Sequence, residues 1–380
     1  MNEKENEVVQ LIEMATTETG PVAVDQGSPV APTVIIQPAP RSGLARWLSR
    51  LGWILFAVCV LLLVSRQQAT QEYFDTSQGI IERYHSLSQS ASTKVAILDI
   101  QGVIGTGHYV KRQIDRIAKD ENIVAIVLRV NSPGGTVTGS DYIYHHLLKL
   151  KEQTKLPIVV SMGSIAASGG YYVSMAVGSE EDSIYAEPTT TTGSIGVIIP
   201  HYDLSGLMNR FDITDDSVVS HERKQLLSMT QAMPDEHRII LQELVDESFD
   251  RFKQIVMYGR PGLKNDENKL FDPATDTNLA TGEVFSATRA LQYGLIDRIG
   301  FIEDAIQRAI ELARQKDPSL DPDNIRVIRY EAPRSFMDFS PFIRGQAPNG
   351  TLEALLELSI PRRYYLVTTL PALIMAGDSD

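Results

Sequence analysis

The middle of the chain alternates short apolar runs with amphipathic stretches. The apolar runs KVAILDI, IVAIVLRV and PIVVSMG cover residues 94–100, 123–130 and 157–163, and stretches with helical spacing cover 107–119 and 137–153. Strands that alternate with helices of about 10–15 residues predict β-α-β units and a mostly parallel sheet. We therefore expect an α/β fold for this part of the chain.

Three further helices are predicted downstream. Residues 234–258 are expected to form a long amphipathic helix. The apolar face that it would bury comprises Ile240, Leu244, Val245, Phe249, Phe252 and Val256. Residues 286–294 would form a short helix that ends on a glycine C-cap, and residues 301–315 would form the last helix.

The N-terminal part of the chain has a different pattern. An uninterrupted apolar run, Leu51–Val64, follows three arginines, whereas only Arg66 follows it closely. Extended to 47–65, the run is long enough for one membrane span, which needs about 20 residues. Because positive charge concentrates on the cytoplasmic flank, we expect a cytoplasmic N-terminus and an extracytoplasmic remainder. A buried helix and a cleaved signal peptide are the alternatives.

The regions around the anchor and the α/β segment complete the predicted organisation. Residues 1–46 are predicted to be a disordered cytoplasmic tail, because this acidic, proline-rich segment has little apolar surface to bury. Residues 66–93 are predicted to be a polar helical stalk. The globular domain is assigned to 94–330 and a C-terminal extension to 331–380. The apolar residues of that extension could pack on a neighbour, extend a substrate groove or touch the membrane.

Composition narrows the possible functions. The 380 residues are 43 % hydrophobic, which is ample for one large or two modest domains. The 35 basic and 48 acidic residues give a net charge of −13, which argues against a nucleic-acid binder. Cys59 is the single cysteine, so neither an intrachain disulfide nor a cysteine zinc cluster can form. No histidine spacing is typical of a metal site, and we expect neither a metal nor another cofactor.

Glycine-rich turns follow two of the predicted strands. NSPGG (131–135) follows the second strand, and SMGSIAASGGYY (161–172) continues the third. The carboxyl ends of parallel strands form the usual site of an α/β fold. Ser168 would therefore lie at a strand-turn-helix junction, where a side chain and backbone N–H groups face the same space. The alternative is that Ser168 is an ordinary serine in a loop of small residues.

A nucleophilic serine needs a base, and two residue types could supply it. None of the seven histidines lies in a glycine-rich turn, so a surface position is their default. A lysine can act as the base when its amine is partly neutral, which requires burial or a neighbouring cation. Lys224, in SHERKQLL (220–227), lies beside Arg223 and before two leucines. Taken alone, it could equally be a surface lysine.

Several motifs in a fixed order resemble one peptidase family. NSPGG, SMGSIAASGGYY, TTTTGSIGVI and GEVFSATRALQYGLIDRIG, together with Lys224, are similar to the signal peptide peptidase A (SppA) family over roughly residues 94–312. The resemblance implies a ClpP/crotonase-like fold and a membrane-anchored serine endopeptidase. It further implies a ring-shaped homo-oligomer at the bacterial inner membrane, with a periplasmic catalytic domain that cleaves hydrophobic peptides such as released signal peptides.

The resemblance also implies roles for individual residues. Ser168 matches the nucleophile, Lys224 the general base, and Ser194 the hydroxyl that orients the lysine amine. The oxyanion hole would comprise the N–H of Gly169 and one N–H of the NSPGG turn, assigned to Gly135 with Gly134 as the alternative. The dyad could form within one chain or between two.

The chain departs from the family pattern around the lysine. Members commonly read S-G-x-x-K-D, whereas His221 and Gln225 stand here in place of the glycine and the acid. His221 is therefore also a competing base. The altered loop raises the alternative of a weakly active or inactive relative that serves as a membrane scaffold. A related enzyme acting on thioesters is a further alternative, against which Ser168, Lys224 and the anchor argue.

Overall fold

The computed structural model describes residues 43–74, 80–266, 269–272, 277–331 and 364–366. The helices in these ranges are α1 Gly43–Phe74, α2 His108–Lys119, α3 Val137–Thr154, α4 Gly169–Ser174, α5 Ser205–Arg210, α6 Asp235–Gly259, α7 Ala287–Gln292 and α8 Ile302–Lys316. The strands are β1 Ile81–Leu87, β2 Thr93–Gln101, β3 Ile123–Ser132, β4 Gly134–Thr136, β5 Ile158–Ala167, β6 Ile184–Ala186, β7 Thr191–Gly193, β8 Lys264–Asp266, β9 Lys269–Asp272, β10 Thr277–Asn278, β11 Val284–Ser286, β12 Arg298–Ile299, β13 Ile325–Glu331 and β14 Tyr364–Leu366. Short 3-10 turns lie at Met175–Val177, Glu222–Gln225 and Pro322–Asn324.

The main sheet has the order β1-β13-β2-β3-β5-β6-β12. From β13 to β12 every neighbouring pair is parallel, whereas β1 is antiparallel to β13 at one edge. The far end of β5 also pairs in parallel with β7, which carries β11 antiparallel on its other side. The α/β class and the mostly parallel sheet that the sequence predicted are thus confirmed.

Hydrophobic side chains cover both faces of this sheet. One face packs against α2, α3, α4 and α6 in the larger apolar cluster, and the other packs against α8. Because β2, β3 and β5 are buried on both faces, they consist of continuous apolar runs without polar alternation. The three strands predicted from those runs are confirmed, and so are the helices predicted around them.

Two details of the sequence analysis are corrected. The segment predicted as a helical stalk over 66–93 is helical only to Phe74 among its described residues, and Ile81–Leu87 forms β1. This strand pairs with β13, so the sheet begins before the predicted domain 94–330. In α6 the buried face includes His237, Leu241 and Ser248, whereas Leu244 is exposed. The predicted apolar face was therefore wrong at Leu244, whereas Ile240 and Val245 are half-buried.

Helix α1 contains the predicted anchor segment. The side chains described from Leu51 to Val64 are exposed, and Trp53 is 70 % exposed. Among the residues that the structure describes, no helix has both the length and the apolar character needed to cross a membrane. The predicted tail over 1–46 lies mostly outside the described residues, as does most of the C-terminal extension.

Candidate active site

Ser168 occupies a sharp turn between β5 and α4. Its φ of 54° and ψ of −116° lie outside the regions that L-residues ordinarily adopt. Its amide N–H donates to the Gly193 carbonyl at 2.8 Å, and its own carbonyl accepts from the Tyr172 N–H at 2.8 Å. These bonds hold the residue in a strained conformation at the junction that the sequence predicted.

The NSPGG turn lies directly against this junction. A Cβ atom placed on Gly169 would lie 3.2 Å from the Gly135 amide nitrogen and would overlap the Ser140 hydroxyl. A Cβ atom on Gly135 would likewise overlap the carbonyl oxygen of Ile104. Gly169 therefore permits the close approach of the two turns, Gly135 permits the approach of the NSPGG turn to Ile104, and the structure brings Gly169 and Gly135 together.

The structure also distinguishes Gly135 from Gly134. The N–H of Gly134 donates to the Ser132 hydroxyl at 3.1 Å, and Gly134 has a φ of +99°. Since that N–H is already engaged with a buried serine, it is a poor donor for an oxyanion. A Cβ atom on Gly169 would lie 3.2 Å from both the Gly134 Cα and the Gly135 nitrogen, so the Ser132 bond alone makes Gly135 the better candidate of the two.

Ser194 follows the strand that borders the Ser168 turn. Ala167 of β5 pairs with Gly193 of β7, so Ser194 comes directly after the residue that accepts the Ser168 N–H. Ser194 has a φ of 52° and is 6 % exposed. Among the described residues, no hydrogen bond is formed by the hydroxyl of either Ser168 or Ser194. Ser168 is 1 % exposed, so both hydroxyls are buried and neither is engaged by a described residue.

Lys224 lies on the 3-10 turn Glu222–Gln225 and is exposed. Within the described part of the chain, no hydrogen bond joins its amine to Ser168 or Ser194. Leu227 is buried nearby along the chain, but the Lys224 side chain does not share that burial. The burial that the sequence analysis required of a lysine base is thus absent from the single chain as described.

The side chains of His221 and Gln225, which replace the glycine and the acid of the family pattern, form hydrogen bonds at this turn. The Nδ1 atom of His221 accepts the Arg223 N–H at 3.1 Å, and the Lys224 N–H donates to the His221 carbonyl at 2.9 Å. The Gln225 side-chain oxygen accepts from Gln231 Nε2 at 3.3 Å. The Arg223 guanidinium forms an ion pair with the carboxylate of Glu236 at the start of α6.

Polar side chains that the sequence analysis did not single out stabilise the end of β5. The hydroxyl of Thr192 donates to the Ala166 carbonyl at 2.6 Å, and that of Thr190 donates to the Gly163 carbonyl at 2.6 Å. The Asn131 side-chain oxygen accepts the Ile165 N–H at 3.3 Å. The signal was present in the TTTTGS and NSPGG motifs, but only the tertiary structure shows which polar atoms meet.

Two buried tyrosines fix the helix that follows Ser168. The hydroxyl of Tyr171 donates to the Leu295 carbonyl at 2.8 Å, and that of Tyr172 donates to the Asp141 carboxylate at 2.6 Å. Burial raises the pKa of Tyr171 well above its usual range, so this phenol stays a neutral donor at any working pH. Helix α4 is thereby held in place from its buried side.

The C-terminal strand β14 covers one edge of the same site. It pairs antiparallel with β4, and Tyr364, Tyr365 and Leu366 lie opposite Thr136, Gly135 and Gly134. An extended segment of the chain itself thus lies along the turn that contains the candidate oxyanion donor. The pairing tests none of the three roles that the sequence left open for the extension; it shows that the strand occupies the edge of β4 beside Gly135.

No group of three or more histidine, cysteine or acidic side chains within the described ranges is arranged to hold a metal ion.

Comparison with known proteins identifies the family of this chain. The sequence model of peptidase family S49 matches residues 150–316, a range that contains Ser168, Ser194 and Lys224. A protein of Enterococcus faecium that is provisionally named signal peptide peptidase SppA is 32 % identical over 287 residues, which cover 69 % of this chain and 79 % of that protein. The chain belongs to peptidase family S49.

Two further relatives agree with the S49 assignment. A Synechocystis protein provisionally named a protease is 35 % identical over 247 residues, covering 64 % of this chain and 82 % of the relative. Protease 4 of Haemophilus influenzae is 31 % identical over 240 residues, covering 60 % of this chain and 36 % of the longer relative. The resemblance to the SppA family is confirmed, and the S49 chain is a peptidase of the serine class.

Proposed function

We propose that this S49 peptidase is an endopeptidase that uses a Ser168/Lys224 dyad. The Ser168 oxygen attacks the scissile carbonyl carbon while the neutral Lys224 amine takes the hydroxyl proton. The ammonium then returns that proton to the leaving amine, which leaves an ester on Ser168. In the second step the Lys224 amine takes a proton from water, the water oxygen attacks the ester, and the proton passes to the Ser168 oxygen as the ester bond breaks. Ser194 accepts or donates a hydrogen bond that orients the amine. The strained Ser168 turn against the Gly135 turn is the observation that carries this proposal.

The oxyanion hole in this proposal comprises the N–H groups of Gly169 and Gly135. Gly169 is the first residue of α4, where the backbone N–H groups lack intrahelical partners. Two fixed donors that face the developing negative charge lower the barrier, because they need no reorganisation during the reaction. The engagement of Gly134 with Ser132 supports the assignment of the second donor to Gly135.

The exposed position of Lys224 supports a dyad that forms between two copies of the chain. The segment between Ser194 and Lys224 is rich in exposed apolar side chains, among them Leu207, Phe211, Ile213 and Val218. Exposed apolar patches of this kind are typical of protein interfaces. Contact with a second copy would bury both this segment and Lys224, and burial is what favours a neutral amine. A ring-shaped homo-oligomer is the assembly that we propose.

Extended hydrophobic peptides are the proposed substrates. The pairing of β14 with β4 supports this choice, because it demonstrates that the edge of β4 accepts an extended strand beside Gly135. The name of the Enterococcus relative refers to signal peptides, and released signal peptides are hydrophobic peptides of this class. We extend that substrate class to this chain.

A membrane anchor is the last part of the proposal. The exposed apolar side chains of α1 and the arginine asymmetry around them support an anchor over 47–65 with the N-terminus in the cytoplasm. The peptidase domain would then face the periplasm of a bacterial inner membrane. A reporter that works only in the periplasm should be active when fused after Asp380 and inactive when fused within residues 1–40. The reverse pattern would contradict the orientation.

The decisive experiment compares single-residue variants of the full chain. We expect Ser168→Ala to abolish both peptide cleavage and labelling by a fluorophosphonate probe, and Lys224→Ala to abolish cleavage. Exposed Ser319 and Lys149 provide the matched controls, and their alanine variants should keep full activity. A Ser168→Ala variant that keeps more than about a tenth of the activity would contradict the proposal, since triad-type variants lose several orders of magnitude.

The pH dependence tests the identity of the base. Because a lysine base must lose its proton, activity should rise from neutral into alkaline pH. Lys224→Arg should be inactive, because a guanidinium stays charged. A fully active Lys224→Ala together with an inactive His221→Ala would instead identify a serine/histidine enzyme.

The altered lysine turn favours one second candidate, a weakly active or inactive scaffold. His221 and Gln225 are the residues that motivate it. Wild-type protein that neither cleaves hydrophobic peptides nor reacts with a fluorophosphonate would establish that alternative.

A further inference from the structure

The short turn that contains Lys224 is stabilised by the residues beside Lys224 rather than by its own side chain. Lys224 makes no side-chain hydrogen bond within the described residues, whereas His221 caps the turn and Arg223 ties it to α6. The backbone of His221 is extended, with a φ of −162° and a ψ of 144°, as is usual for the residue that caps a helical turn. The position of the lysine amine therefore depends on groups other than Lys224 itself.

We propose that His221 is a positioning residue for Lys224, and that its neutral imidazole holds the turn in the form that presents the amine. This inference rests on the proposed function of Lys224 as the base. His221 would not itself touch the substrate or take the serine proton. It would act by accepting the Arg223 N–H, as serine, aspartate or asparagine side chains do at other caps.

The chemistry of imidazole makes this cap sensitive to acid. A neutral imidazole has one nitrogen that accepts a hydrogen bond, whereas the protonated ring carries hydrogens on both nitrogens and accepts none. Protonation of His221 would therefore remove the acceptor at Nδ1 and place two N–H groups against each other. An asparagine at this position would accept the same bond without titrating. The family pattern, with glycine here, lacks such a switch.

Charged groups of two elements face His221. On its own turn these are the adjoining residues Glu222, Arg223 and Lys224, and from α6 Glu236 interacts electrostatically with both His221 and His237. The Arg223 guanidinium holds the pKa of Glu236 below its usual range, with smaller contributions from His237 and His221. The lowered pKa keeps the Glu236 carboxylate ionised further into the acidic range, so the Arg223–Glu236 pair is retained there.

The test measures kcat and KM of the full-length protein from pH 5.5 to pH 9 on one hydrophobic peptide. We expect His221→Ala to lower kcat about three- to tenfold with KM nearly unchanged, as the loss of one cap bond implies. His221→Asn should keep at least about half of the wild-type kcat at pH 8, and it should exceed the wild type about threefold at pH 5.5. His145→Asn, which makes the same exchange at an exposed position of α3, should follow the wild-type profile.

Three results would overturn the inference. The first is a ratio of His221→Asn to wild-type kcat that stays constant across the pH range, and the second is a His221→Ala variant indistinguishable from the wild type. The third is loss of activity in both His221 variants at every pH while Lys224→Ala stays active, which would make His221 the base. His221→Gly introduces the residue that is common in the family, and it provides a further variant if alanine prevents folding. Its kcat should also lack the acid-sensitive component. If the ratio of His221→Asn to wild-type kcat is constant across the pH range and Lys224→Ala is inactive, this inference is rejected but the proposed Ser168/Lys224 dyad is not.

Discussion

The hydroxyl oxygen of Ser132 accepts the N–H of Gly134 at 3.1 Å, and this bond orients the turn that faces Ser168. Ser132 is fully buried at the end of β3, and its carbonyl oxygen lies close to Gly170 of α4. One serine thus contacts both turns of the candidate oxyanion hole. The motif NSPGG can be understood in these terms, because its serine engages the N–H of Gly134, whereas Gly135 lies opposite Tyr365 of β14.

The first prediction removes that hydroxyl. Ser132→Ala should lower kcat by about tenfold or more with a small effect on KM, because a misplaced oxyanion donor weakens binding of the transition state rather than of the substrate. Steady-state kinetics on a hydrophobic peptide would measure this split. Ser248→Ala removes a similarly buried hydroxyl from α6 and should leave kcat unchanged. A rise in KM with an unchanged kcat would contradict the role assigned to Ser132.

The second prediction concerns the contact between the two turns. Gly169→Ala should abolish peptide cleavage, because the new methyl group would overlap the Ser140 hydroxyl and push the Gly135 turn away. Overpacking of this kind typically destabilises a protein by about 1–3 kcal/mol, which thermal unfolding would detect. Gly206→Ala in α5 is the control, because nothing lies within 4 Å of its added carbon. Full activity in Gly169→Ala would mean that the two turns do not act together.

The sequence predicted the strands and helices that surround the site, because each buried parallel strand is a local apolar run. It did not predict β1, whose half-exposed residues resemble a polar segment. That strand exists because it pairs with β13, more than two hundred residues away along the chain. The partner strand lies beyond the motifs that carried the family resemblance, so neither local pattern nor resemblance could reveal the pairing.

Part of the candidate site was also predictable from the sequence, because its motifs are local. Ser168, Gly169 and Gly135 belong to continuous motifs at strand ends, and the parallel topology brings those ends together. The choice between Gly135 and Gly134 depended on a side-chain hydrogen bond, which spacing does not determine. The position of Lys224 was less predictable still, because it lies on a short exposed turn that follows no buried strand.

The third prediction tests whether two copies form the dyad. Ser168→Ala and Lys224→Ala chains, each inactive alone, should regain activity when they are co-expressed and assemble together. Random mixing in a ring would pair an intact Ser168 with an intact Lys224 at about a quarter of the sites. Mixing Ser168→Ala with the double variant Ser168→Ala/Lys224→Ala should give no activity and serves as the control. Absence of any restored activity in mixed assemblies would place the dyad within one chain.

The last prediction concerns the strand β14, which lies along the edge of β4 where a peptide substrate is expected to bind. Because the strand and the substrate would compete for that edge, truncation after Pro361 should lower KM about three- to tenfold and leave kcat nearly unchanged. Truncation after Gly377 keeps β14 and should behave as the full chain. A synthetic peptide with the sequence RYYLVTT, residues 363–369, should inhibit the truncated protein competitively. A higher KM after truncation would mean the opposite, that β14 forms a wall of the groove and helps to hold the substrate rather than competing with it.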